Sequence, residues 1–131
     1  MYILDTNICS YILKKHSPLI LEKFQQVDDI HISSIVYAEL CYGIALSPEH
    51  LKAPRRKQLQ QFMDLLTLHS WDAKAAESYA VIRADLKIKG TPIGNMDTLI
   101  AAHAVSLKAI LVTNNVREFE RVVGLQFESW A

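Results

Sequence analysis

At 131 residues, half of them apolar and 21% charged, the chain has material for one ordinary core and is too apolar for a disordered segment. Its 14 Lys and Arg balance 14 Asp and Glu, which excludes general adhesion to nucleic acid by charge but leaves room for a local phosphate contact. Cys9 and Cys41 stand alone, no signal-type segment opens the chain, and His103, Ser106 and Lys108 interrupt the most apolar late stretch. The expectation is a single cytoplasmic domain over residues 1–131, with no membrane contact.

Tyr2-Ile3-Leu4 reads as a short buried strand ending in Asp5-Thr6-Asn7, a turn suited to capping a helix over Ile8 to Lys14. Ser17-Pro18 starts a second helix with Leu19, Ile20 or Leu21, and Phe24 on its apolar face. Ile30 to Ile32 is a second strand. Ser33-Ser34 then caps a helix to about Leu46, with Ile35, Ala38, Tyr42 and Ala45 as its expected inward stripe and Glu39 at the stripe's edge. Pro54 punctuates the chain before a helix over about Arg55 to Leu66. Thr67 to His69 is a short third strand. Asp72 caps a long helix whose Ala75, Tyr79, Ile82 and Leu86 face inward, ended by Gly90 and Pro92. A loop through Asp97 leads into a helix over Thr98 to Leu107. Ala109 to Val112 is a strong buried strand ending in Thr113-Asn114-Asn115. One or two helical turns from Val116 and a last strand, Gln126 to Glu128, complete the chain. Strands alternating with helices predict an α/β fold, a parallel sheet of four to five short strands flanked by helices on both faces.

Three carboxylates then occupy comparable places. Asp5 ends a strand, Glu39 follows the second strand, and Asp97 opens the helix feeding the strong strand. In an open α/β sheet, ligands bind beyond the carboxyl ends of the strands. Hard oxygen donors gathered there suit Mg²⁺ or Mn²⁺ rather than zinc, and without a cation they would raise one another's pKa values. Each acid alone also has a structural role open to it, as a helix cap or a solvated side chain.

Leu4-Asp5-Thr6-Asn7, the run Ile32 to Gly43 around Tyr37-Ala38-Glu39-Leu40, Pro92 to Asp97 with Ile100-Ala101-Ala102-His103-Ala104, and Val112 to Phe119 closely resemble PIN-domain ribonucleases. More narrowly, they resemble the VapC toxins of bacterial VapBC toxin–antitoxin pairs, and the likeness spans nearly the whole chain. The resemblance implies a PIN fold and Mg²⁺- or Mn²⁺-dependent hydrolysis of RNA, with structured RNAs such as tRNA as common targets. It implies Asp5, Glu39 and Asp97 as catalytic metal ligands. It also implies a VapB-type antitoxin, a homodimer through the early helices with Ile12, Leu13, Leu19 and Phe24 as candidate contacts, and higher-order toxin–antitoxin assembly. A fourth family acid falls where this chain has Asn115, which offers a carbonyl but no charge. Glu118 or Glu120 stands near enough in sequence to compensate, and Asn7 and Thr113 are candidates to orient a carboxylate or a metal-bound water.

His103, about 240° around its helix from Asp97, reads as structural. Arg55, Arg56 and Lys57, with Arg83 and Lys87, are candidate RNA-phosphate contacts, although short basic runs are more often solvated surface. A PIN-fold binding module without useful catalysis is the alternative, motivated by Asn115. A phosphoacceptor role for Asp5 is disfavoured because residue 7 is Asn rather than a second Asp, and a dinucleotide fold because no GxGxxG follows the first strand.

Overall fold

The computed structural model describes residues 1–130; the expected domain span ends at Ala131, outside them. Within these residues five strands form one parallel sheet: β1 (Tyr2–Leu4), β2 (Ile30–Ser33), β3 (Thr67–His69), β4 (Ile110–Val112) and β5 (Gln126–Glu128). Their spatial order is β3-β2-β1-β4-β5. The register sets Ile3 beside His31 on one side and Leu111 on the other. All four residues of β2 are buried, and strand residues alternate between faces, so both faces of the sheet centre are covered.

Among the described residues seven helices fill the connections: α1 (Thr6–Lys14), α2 (Pro18–Gln26), α3 (Ser34–Ala45), α4 (Glu49–Met63), α5 (Ala73–Ile88), α6 (Asn95–Leu107) and α7 (Val116–Phe119). From β1 the chain moves outward through β2 to β3, then returns to β4 and β5 on the other side. Right-handed crossovers place the helices of these two halves on opposite faces. The direction therefore reverses between β1 and β4, whose carboxyl ends open the crevice of the sheet. Asp5 N–H bonds the Val112 carbonyl at 3.1 Å, so the two strands end side by side there.

The caps explain where helices begin. Asp5, Ser17, Ser33 and Asp72 each accept a backbone N–H of the helix that follows, each worth about 1 kcal/mol. Ile3, Leu4, Ile8, Ile32, Val36, Ile100, Leu111 and Phe119 form the centre of the core. Ala101, Ala102 and Ala104 are fully buried on α6 and let that helix approach closely. Trp130 is buried with its ring 6.2 Å from that of Tyr2, which ties down the end of the chain.

Four local expectations are corrected. On α3 the buried residues are Val36 and Leu40, with Ile44 half-buried, while Ala38, Tyr42 and Ala45 are exposed. That helix is apolar almost all round, so periodicity could not select its inner face. On α2, Leu19 is exposed, and Ile20, Leu21 and Phe24 pack inward. The helix expected from Arg55 begins at Glu49 and ends at Met63 with Pro54 inside it. Pro54 removes only the bond to the His50 carbonyl, near the start of the helix where that carbonyl is exposed to water. Finally, α6 begins at Asn95, because Gly94 caps it through its carbonyl, which accepts both the N–H and the hydroxyl of Thr98 at 2.9 Å.

Among the candidate contacts for a second copy, Ile12 belongs to the core, and Phe24 packs on Phe62 with ring centroids 5.6 Å apart. Leu13 is half-buried, and Leu19 alone of the four is exposed.

Candidate active site

A cleft of about 360 Å³ lies at the reversal point, lined by Asp5, Thr6, Asn7, Glu39, Asp97 and the segment Gly94 to Met96. Each acid arrives by a different route. The end of β1 delivers Asp5, which is 4% exposed and accepts the Ile8 N–H at 2.9 Å while hydrogen-bonding the Thr113 hydroxyl at the end of β4. The first turn of α6 delivers Asp97. The middle of α3 delivers Glu39, whose Oε1 accepts the Thr6 hydroxyl at 2.6 Å.

The electrostatics record the concentration of acid. Burial raises the Asp5 pKa, and the charge of Glu39 adds to it, against the lowering effect of the Thr113 hydroxyl and the Ile8 N–H. Asp97 is pushed from 3.8 to about 7 by burial, by a hydrogen bond to the Glu118 carboxyl, and by the charges of Glu118, Asp5 and Glu39. Two carboxyls bonded to each other in this way share a proton when no cation is present.

Glu118 is therefore part of the cluster, and Asn115 bears on it indirectly. The Asn115 amide donates to Glu118 Oε2 at 2.9 Å, and its own N–H bonds the Thr113 hydroxyl at 2.9 Å. Asn115 is exposed and does not line the cleft; it orients the acid beside Asp97. Glu120 is exposed beyond α7 and does not line the cleft either. Asn7 lines it and is exposed to solvent.

The donor set fits a hard divalent cation: carboxylate oxygens with raised pKa values, a hydroxyl network, and no thiol or imidazole on the wall. Among the described residues no three acidic, histidine or cysteine side chains form a ready-made cage. The acids ring the cleft rather than meeting at one point.

The basic candidates separate. Arg55 lines a groove of about 220 Å³ between α1, α3 and α4 that shares Thr6 and Glu39 with the acidic cleft. Arg56 lines a different groove, on the Tyr37 and Cys41 side of α3, and Lys57 is exposed. Arg83 and Lys87 line a further cleft beyond Asn95, where Arg83 bonds the Tyr79 hydroxyl at 2.7 Å and lies 5.7 Å from the centre of its ring.

Some relevant residues were not singled out from the sequence. Thr6 holds Glu39, a contact across 33 positions that no local pattern announces. Lys14 lies two turns beyond Thr6 along α1, so the 3.6-residue period could have found it. The buried His103, outside the cleft as expected, bonds Ser33 through Nδ1 at 2.7 Å. Ser33 also caps α3, so this bond ties the helix carrying Glu39 to the helix carrying Asp97. A second tie runs through Trp71, whose N–H bonds the Ser34 hydroxyl and whose indole N–H bonds the Leu99 carbonyl. Neighbouring His31 and His69 bond each other at 2.7 Å, with His31 on Asp29 at 2.6 Å.

Comparison with known proteins gives a consistent result. The family model for the PIN domain matches residues 2–125. The chain is 42% identical to "Ribonuclease VapC2" of Rickettsia felis over 133 residues, covering 99% of this chain and 98% of that protein. It is 40% identical to "tRNA(fMet)-specific endonuclease VapC" of Salmonella typhimurium, covering 98% and 97%. Among solved structures, VapBC2 from Rickettsia felis bound to a promoter DNA fragment matches with a TM-score of 0.90 at 41% identity, covering 99% of this chain and 98% of that chain. DNA-bound VapBC from Salmonella typhimurium matches with a TM-score of 0.93 at 38% identity, covering 99% and 98%.

Proposed function

The chain belongs to the PIN domain family, and on that premise we propose that it is the endoribonuclease toxin of a type II toxin–antitoxin pair. It acts as one cytoplasmic PIN domain that hydrolyses phosphodiester bonds in RNA with a bound divalent cation, Mg²⁺ or Mn²⁺. Its target is a structured RNA of the tRNA class, a choice supported by the relative named as a tRNA(fMet)-specific endonuclease at 40% identity. Its inhibitor is a VapB-type antitoxin, supported by the VapBC complexes among its structural neighbours. Leu19 on α2, with Tyr42 on α3 and Leu46 at its C-terminal cap, supplies exposed apolar surface for the antitoxin or a second copy in a homodimer.

The observation that carries the reading is the convergence of Asp5, Glu39 and Asp97 on one cleft, with the Asp97 pKa raised to about 7 by its neighbours. Asp5, Glu39, Asp97 and Glu118 would hold the cation, and Glu118 takes the part of the acid that Asn115 lacks. A divalent cation in such a site neutralises charge on the scissile phosphate and acidifies water. The remaining work falls to the chain. The Ile8 N–H and Thr113 hydroxyl keep Asp5 in one rotamer, Thr6 does the same for Glu39, and Asn115 steers Glu118 onto Asp97. Asp97 gives up its proton when the cation is bound, so acid and metal compete for the site. With Glu118 in place the cluster keeps four carboxylates, which weighs against the non-catalytic binding module.

The test is cleavage by purified protein and by its Asp5→Asn, Glu39→Gln and Asp97→Asn variants, with circular dichroism as the folding control. Loss of cleavage in all three folded variants is expected. Near-wild-type cleavage by folded Asp5→Asn and Asp97→Asn would remove the proposed centre.

A further inference from the structure

The groove beside the acidic cleft carries a second inference, which rests on the ribonuclease reading. Helices α1, α3 and α4 wall it, and the α1 and α3 flanks each lead from the acidic centre to a cation. Along α1, Thr6, Ser10 and Lys14 follow one another at four-residue steps; along α3, Glu39 and Gly43 do the same, and Ser47 follows just past the end of that helix. Residues four apart share a helix face, so the α1 series makes one continuous flank about 12 Å long, and the Ser47 hydroxyl, bonded to the Gly43 carbonyl, extends the α3 flank past the helix end. At the far end of the α3 flank the Ser47 hydroxyl fixes Arg55, accepting from Nη1 at 2.6 Å while it donates to the Gly43 carbonyl. Ser47 is buried, so this anchor does not drift with solvent. The guanidinium uses one of its five donors there. Among the described residues neither Arg55 nor Lys14 is paired with a carboxylate.

A groove with acids at one end and two unneutralised cations at the other matches an extended polyanion whose reacting phosphate lies among the acids. We propose that Arg55 and Lys14 form a subsite for a backbone phosphate of the RNA substrate, flanking the scissile one along the α1–α3 groove. The subsite answers a need set by composition. A chain with zero net charge gains little from long-range attraction, so it must hold RNA through a few placed cations. Arg56, one residue away on the same helix, faces the other side of α3 and takes no part.

Three single variants, Arg55→Ala, Lys14→Ala and Arg56→Ala, test this with the full-length protein. Cleavage of a tRNA pool in Mn²⁺ gives KM and kcat, and fluorescence anisotropy in EDTA gives the affinity for a short mixed-sequence single-stranded RNA as salt is varied. Arg55→Ala and Lys14→Ala are expected to raise KM severalfold with a smaller change in kcat. Each should reduce the slope of log affinity against log salt by about 0.7, the loss of one phosphate contact to a single strand. Arg56→Ala should change neither quantity. Unchanged KM and salt slope in folded Arg55→Ala and Lys14→Ala overturn the subsite, whether or not those variants bind an antitoxin more weakly. Equal effects from all three variants also overturn it, because a general loss of charge would then explain them. If the wild-type protein does not cleave at all, the ribonuclease reading fails, while the anisotropy series still decides whether these two cations bind RNA.

Discussion

Replacing Asp97 by Asn should stabilise the metal-free protein at neutral and alkaline pH while abolishing cleavage. Burial, the bonded Glu118 carboxyl and the charges of Glu118, Asp5 and Glu39 move the Asp97 pKa from 3.8 to about 7. Between those values the folded protein binds more protons than the unfolded chain. Asp97 therefore contributes stability that is complete below its unfolded pKa and is lost as pH rises through about 7. A displacement of this size corresponds in full to about 4 kcal/mol. Asp97 is only half-buried, and solvent screening reduces this to roughly 1–2 kcal/mol. For a chain of this length that is a rise in Tm of roughly 4–7 °C. The assay is urea and thermal unfolding of both proteins in EDTA from about pH 4 to about pH 8, which spans the Asp97 values of 3.8 and about 7. Burial lowers the pKa values of His69 and His103, so their contributions run in the opposite direction with pH. Both proteins carry them, and they largely cancel in the difference. An Asp97→Asn variant no more stable than wild type at the alkaline end, or a difference flat across the range, would refute the reasoning.

Three further outcomes follow from the same geometry. His103→Ala removes the ring nitrogen paired with the Ser33 hydroxyl and leaves a void where α6 packs on the ends of β2 and β3, so urea unfolding should show a loss of about 2–3 kcal/mol. Glu118→Gln should reduce cleavage more than Asn115→Ala, because the first removes a carboxylate and the second only the amide that steers it; single-turnover rates in the reverse order would contradict the role given to Glu118. Cleavage should fall on the acid side as protons occupy Asp5 and Asp97, and raising Mn²⁺ should move that limb of the pH–rate profile to lower pH.

The sheet was legible in the sequence because its signals are local. Tyr2 to Leu4 and Ile110 to Val112 are apolar runs that end in small polar residues, and the caps Asp5, Ser17, Ser33 and Asp72 stand where helices begin. The inner face of α3 was not legible. A helix bearing Ile35, Val36, Leu40, Tyr42 and Ile44 has no polar side to point outward, and only packing against the sheet and α4 selects Val36 and Leu40. The start of α6 was missed because its cap is the carbonyl of Gly94, which leaves no side-chain signature.

The candidate site divides along the same line. Asp5, Glu39 and Asp97 were singled out by their places at or after strand ends and at a helix start and by the motifs of the family resemblance, and they line one cleft. The place of Glu118 was open between two neighbouring acids. It is resolved by α7, a helix of barely one turn that sets Glu118 against Asp97 and leaves Glu120 in solvent. Arg55 and Arg56 are adjacent letters with the same charge, and only the course of α4 past Ser47 sends them to different grooves.

The most direct test of the central claim is incubation of antitoxin-free protein with total cellular RNA in Mg²⁺ or Mn²⁺, beside EDTA and Asp5→Asn controls, with the new ends mapped by sequencing. Discrete fragments from one structured RNA class, present with metal and absent from both controls, are the predicted result. Intact RNA with folded wild-type protein and metal, or the same fragments from Asp5→Asn, would contradict the account.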